Sequence, residues 1–397
     1  YGERDPYLDS ASDRYQWFHT VIGSPYAWDA GYTGQSVTVG VIDSGVSPNP
    51  DLDANVIGRY DFCDGTPDAL DCRQHGTHVA GIIAALANGT EGTGVAPDAK
   101  IFNAKVFGED ASKSGYDSTI MRAILYLISE EDNATEEVNA EAPRVDIINM
   151  SLGGSGDTSG FQAVIDKAHA KGVIVFAATG NDGDLAMMYP ASYEHVIAVS
   201  ATDKTNERAY FANYGSITDL SAPGVNIWAT YVDGNGNFGY ASLQGTSMSC
   251  PVAAGQAAII LSGQSDLPAL QGKTGAQRVD ALEAIMKENT VPAGNGMGRG
   301  ITSLTKVFKL TTASAKPNAP SISIVDNSGD AGQSVQVTIK AQAGKKLCYT
   351  TNGKTPVYKN ETAGAGTVFV DDDTVTFTID GTQAAQGTVK AFAINEA

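Results

Sequence analysis

The serine in Gly245-Thr246-Ser247-Met248-Ser249-Cys250-Pro251 stands just before a small and apolar run, Val252 to Leu261. That context reads as a hydroxyl at the mouth of a buried helix, able to attack if a base takes its proton. Two partners lie upstream: Asp43 in Val41-Ile42-Asp43-Ser44-Gly45, and His75 in His75-Gly76-Thr77-His78-Val79-Ala80-Gly81. Nucleophilic cleavage of an acyl bond needs three things: a deprotonated hydroxyl, an imidazole held in one tautomer, and donors waiting for the oxyanion. On this reading Ser247 is the nucleophile, His75 the general base and then acid, and Asp43 the orienting carboxylate. The oxyanion donors are expected to be the Ser247 backbone N–H and the side-chain amide of Asn181, in Ala177-Ala178-Thr179-Gly180-Asn181-Asp182-Gly183.

Each residue also has a plainer use. A lone histidine is usually structural, and His19, His169 and His195 are read that way. His78 would share a helical face with His75, but Gly76 lets another backbone come close to His75 and favours it as the site residue. Zinc on His75 and His78 is disfavoured, because the metalloprotease motif sets Glu between histidines at i and i+4. Asn181 taken alone is a turn asparagine. An α/β-hydrolase esterase needs Gly-x-Ser-x-Gly and the order Ser, Asp, His, and Ser247 has neither. Every catalytic position carries the expected residue type, which argues against a binding protein that has lost its activity.

The elements that must position these groups follow from periodicity. Ser36 to Ile42 is nearly continuous and β-branched, as in a strand buried on both faces of a parallel sheet. Asp43 closes it at the carboxyl end, where open α/β sheets place their ligands. Helices are then expected over His75–Leu86, Ser118–Ser129, Thr158–Ala170 and Ala276–Lys287, with one beginning at Ser247. Strands are expected over Lys100–Phe107, Val145–Met150, Val173–Ala178, Val196–Ser200 and Val225–Ala229. This alternation predicts an α/β fold, a mostly parallel sheet with helices on both faces. Residues 1–34 read as an arm packed on that core. Near residue 311 the composition turns to Thr, Ser, Ala and Pro. The expected organisation is a catalytic domain at 1–312, a linker at 313–320 and a small all-β sandwich at 321–397.

With 42% hydrophobic residues the chain can bury a sizeable core, and its net charge of −19 makes nucleic acid and anionic membranes poor partners. The apolar run Val252–Leu261 is shorter than the ~20 residues a bilayer span needs. The chain opens on Tyr1 without a signal-like segment and reads as a mature product. Cys63 and Cys72 bracket a short Asp/Gly/Pro loop. A local disulfide is the first expectation and implies an oxidising compartment. Cys250 reads as a buried thiol and Cys348 as unpaired.

These motifs, together with Ser151-Leu152-Gly153-Gly154, resemble the subtilisin-like serine proteases (subtilases) over about residues 5–310. The order Asp, His, Ser is the subtilisin order. The resemblance implies a secreted, monomeric endopeptidase acting on proteins and peptides, freed from an N-terminal propeptide. Substrate would add as a β-strand between Ser112, Ser114, Gly115 and Ser151-Leu152-Gly153. The first pocket would be walled by Ser151-Leu152-Gly153 and Ala178-Thr179-Gly180. Met188 near its floor implies a shallow, apolar pocket and a broad, apolar-leaning specificity. The resemblance also implies a structural Ca2+ held by Asp5, Asp51 and Asn88 side chains and by Leu86, Thr90 and Gly92 carbonyls, a donor set that suits calcium. In the tail, Tyr349-Thr350-Thr351-Asn352-Gly353-Lys354-Thr355-Pro356 resembles chitobiase C-terminal-type β-sandwiches.

Overall fold

The computed structural model describes residues 5–109, 115–129, 144–185, 188–310, 321–325, 335–340, 346–351, 358–359, 362–363, 367–372, 374–379 and 390–394. The chain divides into two compact units, Glu3–Trp28 with Tyr32–Leu310, and Tyr1–Gly2 with Asp29–Gly31 and Thr311–Ala397. Two short helices, α1 (Phe18–Ile22) and α2 (Ser24–Asp29), lie in the expected arm.

Alternation along β1 (Thr38–Asp43) shows how the sheet is covered. Val39 and Val41 enter one core layer, while Ile42 enters the other. Successive side chains of a strand point to opposite faces, so a strand apolar on both parities needs helices on both. The Val39 layer receives α3 (Gly76–Ala84), α6 (Thr246–Ser262) and α7 (Ala276–Glu288). The Ile42 layer receives α4 (Asp117–Leu127) and α5 (Phe161–Ala170).

The other strands are β2 (Val56–Asp61), β3 (Lys100–Lys105), β4 (Ile147–Met150), β5 (Ile174–Ala178), β6 (Val196–Thr202), β7 (Leu220–Pro223), β8 (Ile227–Val232), β9 (Phe238–Leu243), β10 (Thr290–Val291) and β11 (Ile301–Thr302). Eight of them join β1 in one nine-stranded sheet in the order β10-β11-β7-β6-β5-β4-β1-β3-β2. Every neighbouring pair is parallel except β10 with β11. The order descends to β4 and then jumps to β1, so the loops leaving β5, β4 and β1 emerge side by side at a switch point.

The strand expected at Val225–Ala229 is displaced from that sheet. β8 pairs antiparallel with β9 as a separate hairpin. The reason is local: Asp233-Gly234-Asn235-Gly236-Asn237 makes a turn in which Asp233 Oδ1 accepts the Asn235 and Asn237 N–H groups at 2.8 and 2.9 Å. The hairpin packs against α3.

α6 is buried along its length, and Ser247 and Ser262, near its two ends, are its partly exposed residues. A helix apolar on every side belongs in the middle of a core. After α8 (Leu304–Val307), the second unit contains β12 (Ser321–Val325), β13 (Val335–Lys340), β14 (Lys346–Thr350), β15 (Tyr358–Lys359), β16 (Thr362–Ala363), β17 (Val368–Val370), β18 (Thr374–Ile379) and β19 (Lys390–Ile394). Two three-stranded sheets, β12-β13-β18 and β17-β14-β19, share a small core of Val337, Ile339, Leu347 and Tyr349. Tyr349 stacks on Phe377 with ring centroids 4.6 Å apart.

Gly81 fixes how closely α3 meets the hairpin. A Cβ there would lie 2.0 Å from Thr230 Oγ1 and 3.1 Å from the Thr230 backbone N. Alanine gains up to about 1 kcal/mol over glycine in a helix, whereas overpacking a rigid contact costs about 1–3 kcal/mol. Gly81→Ala is therefore expected to lower the guanidinium unfolding midpoint, measured in a Ser247→Ala background. A raised midpoint would show that the hairpin yields freely.

Candidate active site

Burial of Asp43 is the starting point. It ends β1 with 1% of its surface exposed, and its Oδ1 lies 2.8 Å from His75 Nδ1. The same oxygen accepts the Ser44 N–H at 2.7 Å. An ionised carboxylate accepts only, so it selects the tautomer with the proton on Nδ1 and leaves Nε2 as a base.

His75 stands at the N-cap of α3, and the first N–H groups of that helix need acceptors. Asp71 supplies them. Its Oδ1 accepts the His75 N–H at 3.3 Å and the Ser44 hydroxyl at 2.8 Å, and its Oδ2 accepts the Thr77 N–H at 2.9 Å. Ser44 Oγ in turn accepts the Gly76 N–H at 3.0 Å. Gly76 allows the crossing: a Cβ there would sit 2.1 Å from the Gly45 carbonyl oxygen. Burial opposes charging of His75, but the Asp43 charge and hydrogen bond, with the Asp71 charge, outweigh it and raise its pKa above the ordinary histidine value.

Ser247 occupies the first turn of α6, which packs directly against α3. Its hydroxyl donates to the Ser151 carbonyl at 3.2 Å, and Ser151 Oγ donates back to the Ser247 carbonyl at 2.8 Å. No hydrogen bond joins Ser247 to His75 among the described residues. The single hydroxyl proton is taken by the carbonyl, and catalytic contacts of this kind commonly tighten only around substrate. Asn181 leaves β5 beside this turn. Its Oδ1 accepts the Thr246 N–H at 2.9 Å and the Thr246 hydroxyl at 3.1 Å. The exposed amide nitrogen has no protein acceptor among the described residues.

His78 is wholly buried, and its Nε2 lies 3.1 Å from the Ile227 carbonyl and 3.0 Å from that of Ala241. It holds the β8–β9 hairpin to α3, and burial pushes its pKa down to about 4. His19 is buried against the Thr93 carbonyl, and His169 faces Asp280 while stacking on His195.

The residues expected to wall the first pocket converge. Ser151 and Ala178–Thr179 are buried, Leu152 packs on the core beneath α4 and α5, and Met188 lies between the two walls. A Cβ on Gly180 would meet Met188 Cγ at 2.9 Å, and one on Gly153 would meet its Cε at 3.9 Å. Gly115 donates its N–H to Val106 O at 3.1 Å. Ser112 and Ser114 lie outside the described residues.

The residues named for calcium also gather. Asp5 and Asp51 are each 1% exposed. Asp51 Oδ1 accepts Asn88 Nδ2–H at 2.8 Å, its carbonyl accepts the Leu86 N–H at 2.8 Å, and its buried Oδ2 has no hydrogen-bond partner among the described residues. Asp5 accepts the Gly89 N–H and the Thr93 hydroxyl. Thr90 turns its N–H onto Asn88 Oδ1 at 2.9 Å, and Gly92 is buried beside Gln16. Desolvation pushes Asp5 up to about 6 and Asp51 to about 7, the latter raised further by the Asp5 charge. Among the described residues no group of three or more His, Cys, Asp or Glu side chains could hold a metal ion. Two carboxylates with neutral oxygens are what this loop offers, and the orphaned Asp51 oxygen fits a hard cation.

The expected Cys63–Cys72 disulfide is not formed, and both are free thiols. The Cys72 sulfur instead faces the Phe107 carbonyl at 3.2 Å and the Ser44 carbonyl at 3.6 Å. Burial raises both thiol pKa values, that of Cys63 to about 11. Cys250 and Cys348 are buried free thiols. Sequence reasoning also passed over Ser44, Asp71 and Thr246. An acidic residue just ahead of a helix start is a capping signal that pointed to Asp71.

A family model described as the subtilase family matches residues 34–354. Subtilisin Savinase of Lederbergia lenta is 40% identical over 244 residues, covering 62% of this chain and 83% of its own. An alkaline protease of Alkalihalobacillus alcalophilus is 38% identical over 260 residues, 66% of this chain, and the match spans 63% of that protein's length. A solved protease from Pseudoalteromonas arctica PAMC 21717 aligns with a TM-score of 0.67 at 32% identity, covering 77% of this chain and 98% of that one.

The Asp71 charge favours the imidazolium form of His75. Asp71→Asn is expected to lower the His75 pKa, keeping the base form to lower pH, as followed by NMR of the imidazole Cε1–H in a Ser247→Ala background. A titration that stays in place would show the Asp71 charge to be screened.

Proposed function

The chain belongs to the subtilase family, and from that premise we propose that it is a secreted serine endopeptidase acting on proteins and peptides through Asp43, His75 and Ser247. The observation that carries this reading is the 2.8 Å contact of His75 Nδ1 with the buried Asp43, beside a buried helix whose first turn bears the partly exposed Ser247.

The Ser247 hydroxyl swings from the Ser151 carbonyl to His75 Nε2 and gives up its proton as Oγ attacks the scissile carbonyl. The oxyanion is met by the Ser247 N–H and Asn181 Nδ2–H. The imidazolium, stabilised by Asp43, passes the proton to the leaving amine, and the C–N bond breaks to leave an acyl-enzyme. Water then gives a proton to His75 and attacks the ester. Collapse releases the acid and returns the proton to Ser247. An extended substrate lies along Ser151–Gly153 and Gly115, and Met188 makes the first pocket shallow and apolar-leaning. The chain acts as a monomer after loss of an N-terminal propeptide, and residues 321–397 supply an accessory β-sandwich; the expected linker at 313–320 lies outside the described residues.

Asp5, Asp51 and Asn88, with the Leu86, Thr90 and Gly92 carbonyls, would hold a structural calcium ion. When bound, the ion supplies positive charge to two carboxylates that are otherwise buried and mutually repelling.

Ser247→Ala is expected to abolish both chromogenic peptide hydrolysis and labelling by a serine-directed phosphonate. Labelling that survives would place the nucleophile elsewhere. In a Ser247→Ala background, calcium at a thousandfold over Kd should add about 4 kcal/mol to stability, read as a melting temperature that chelator lowers. Asp51→Asn should remove the difference; a chelator-insensitive parent would sink the calcium assignment.

A further inference from the structure

An oxyanion donor works only if its position is fixed before charge develops, because reorganisation during the reaction would consume the stabilisation. Asn181 is exposed and lies on a loop, between Gly180 in a left-handed conformation (φ 100°) and Asp182. Something else must hold it. Its own Oδ1 is held by Thr246, and Thr246 Oγ1 accepts the Gly180 N–H at 3.2 Å. That leaves the backbone on both sides of Asn181 to be fixed.

We propose that Asn213 is the positioning residue for the oxyanion donor, clamping the Thr179–Asp182 loop from beneath; this rests on the role assigned to Asn181 above. Asn213 is fully buried, and both ends of its carboxamide are used on that loop. Its Nδ2 donates to the Thr179 carbonyl at 3.0 Å and to Asp182 Oδ2 at 3.2 Å. Its Oδ1 accepts the Asp182 N–H at 2.8 Å. Its backbone N–H donates to the Gly180 carbonyl at 3.0 Å, and its carbonyl accepts the Thr179 hydroxyl at 3.3 Å. Asn213 thus touches the residues on both sides of Asn181 without touching the reacting atoms. The Ser200 hydroxyl, from β6, donates to the Asn213 carbonyl at 2.6 Å and ties the clamp to the sheet.

The contact is also close enough to constrain sequence. A Cβ on Gly180 would lie 2.6 Å from Asn213 Nδ2. Leucine or aspartate in place of Asn213 cannot supply donor and acceptor at once. The clamp acts on transition-state stabilisation and not on substrate affinity, so its loss appears in kcat and not in KM.

The test is a double-mutant cycle in the full chain, with kcat and KM measured separately on a chromogenic peptide. Asn181→Ala is expected to lower kcat by roughly 10²–10³, the loss known for a subtilisin oxyanion asparagine. Asn213→Ala is expected to lower kcat about ten- to a hundredfold with KM changed less than about threefold. In the Asn181→Ala background, the same Asn213→Ala change should cost less than about threefold, because there is no donor left to position. Asn213→Ser, which fills less of the site but keeps a polar group, should fall between wild type and Asn213→Ala and guards against a variant that does not fold. Equal losses in both backgrounds, or a loss confined to KM, would overturn the positioning role alone. Full activity of Ser247→Ala would instead remove the site reading on which it rests.

Discussion

A carboxylate taken out of water beside an imidazole governs this structure. Asp43 is 1% exposed, and an isolated buried charge costs several kcal/mol. The cost is offset by the Ser44 N–H and by His75, which makes the imidazole orientation part of the stability of the fold. Asp71 and Ser44 then cap the helix that carries His75. The groups that hold His75 in place come from two upstream segments, the end of β1 and the loop before α3, and they satisfy backbone donors that any helix start would leave open. The chemistry and the local folding problem share one solution.

That solution depends on the strand order. β1 lies between β4 and β3, and β5 lies beyond β4, so three loops with side chains of different chemistry open onto one edge. α6 runs through the core and presents Ser247 at its head. Ser151 ties the β4 loop to that head by two hydrogen bonds in opposite directions. Ser247 is therefore referenced to the sheet from two sides, through the helix axis and through Ser151.

The candidate catalytic residues were legible because each sits in a short, compositionally unusual context. A buried strand running into Asp-Ser-Gly, and a helix opening on Gly-Thr-Ser, state their geometry locally. The main helices and sheet strands were legible for the same reason. What failed was non-local. Val225–Ala229 has the composition of a sheet strand, and only its partner decided that it joins a hairpin. Cys63 and Cys72 have a spacing suited to a bridge, but the Cys72 sulfur is taken up by carbonyls from the loops after β1 and β3. Gln16 and Thr93, which line the Asp5 loop, and Asn213 beneath Asn181 act across long stretches of chain. Periodicity does not reach such pairs.

His78 carries a consequence for behaviour in acid. It is neutral in the fold, its Nε2–H is shared between two carbonyls, and its buried Nδ1 has no hydrogen-bond partner among the described residues. Its folded pKa of about 4 lies below the ordinary 6.5. The unfolded chain therefore takes up the proton first, and the native state loses ground as pH falls from about 6.5 towards 4, at up to about 1.4 kcal/mol per pH unit. Below that window the loss from this group is complete. A side chain one helical turn from His75, buried against two backbone carbonyls, thus biases the molecule towards neutral and alkaline surroundings and makes acidification a route to its collapse.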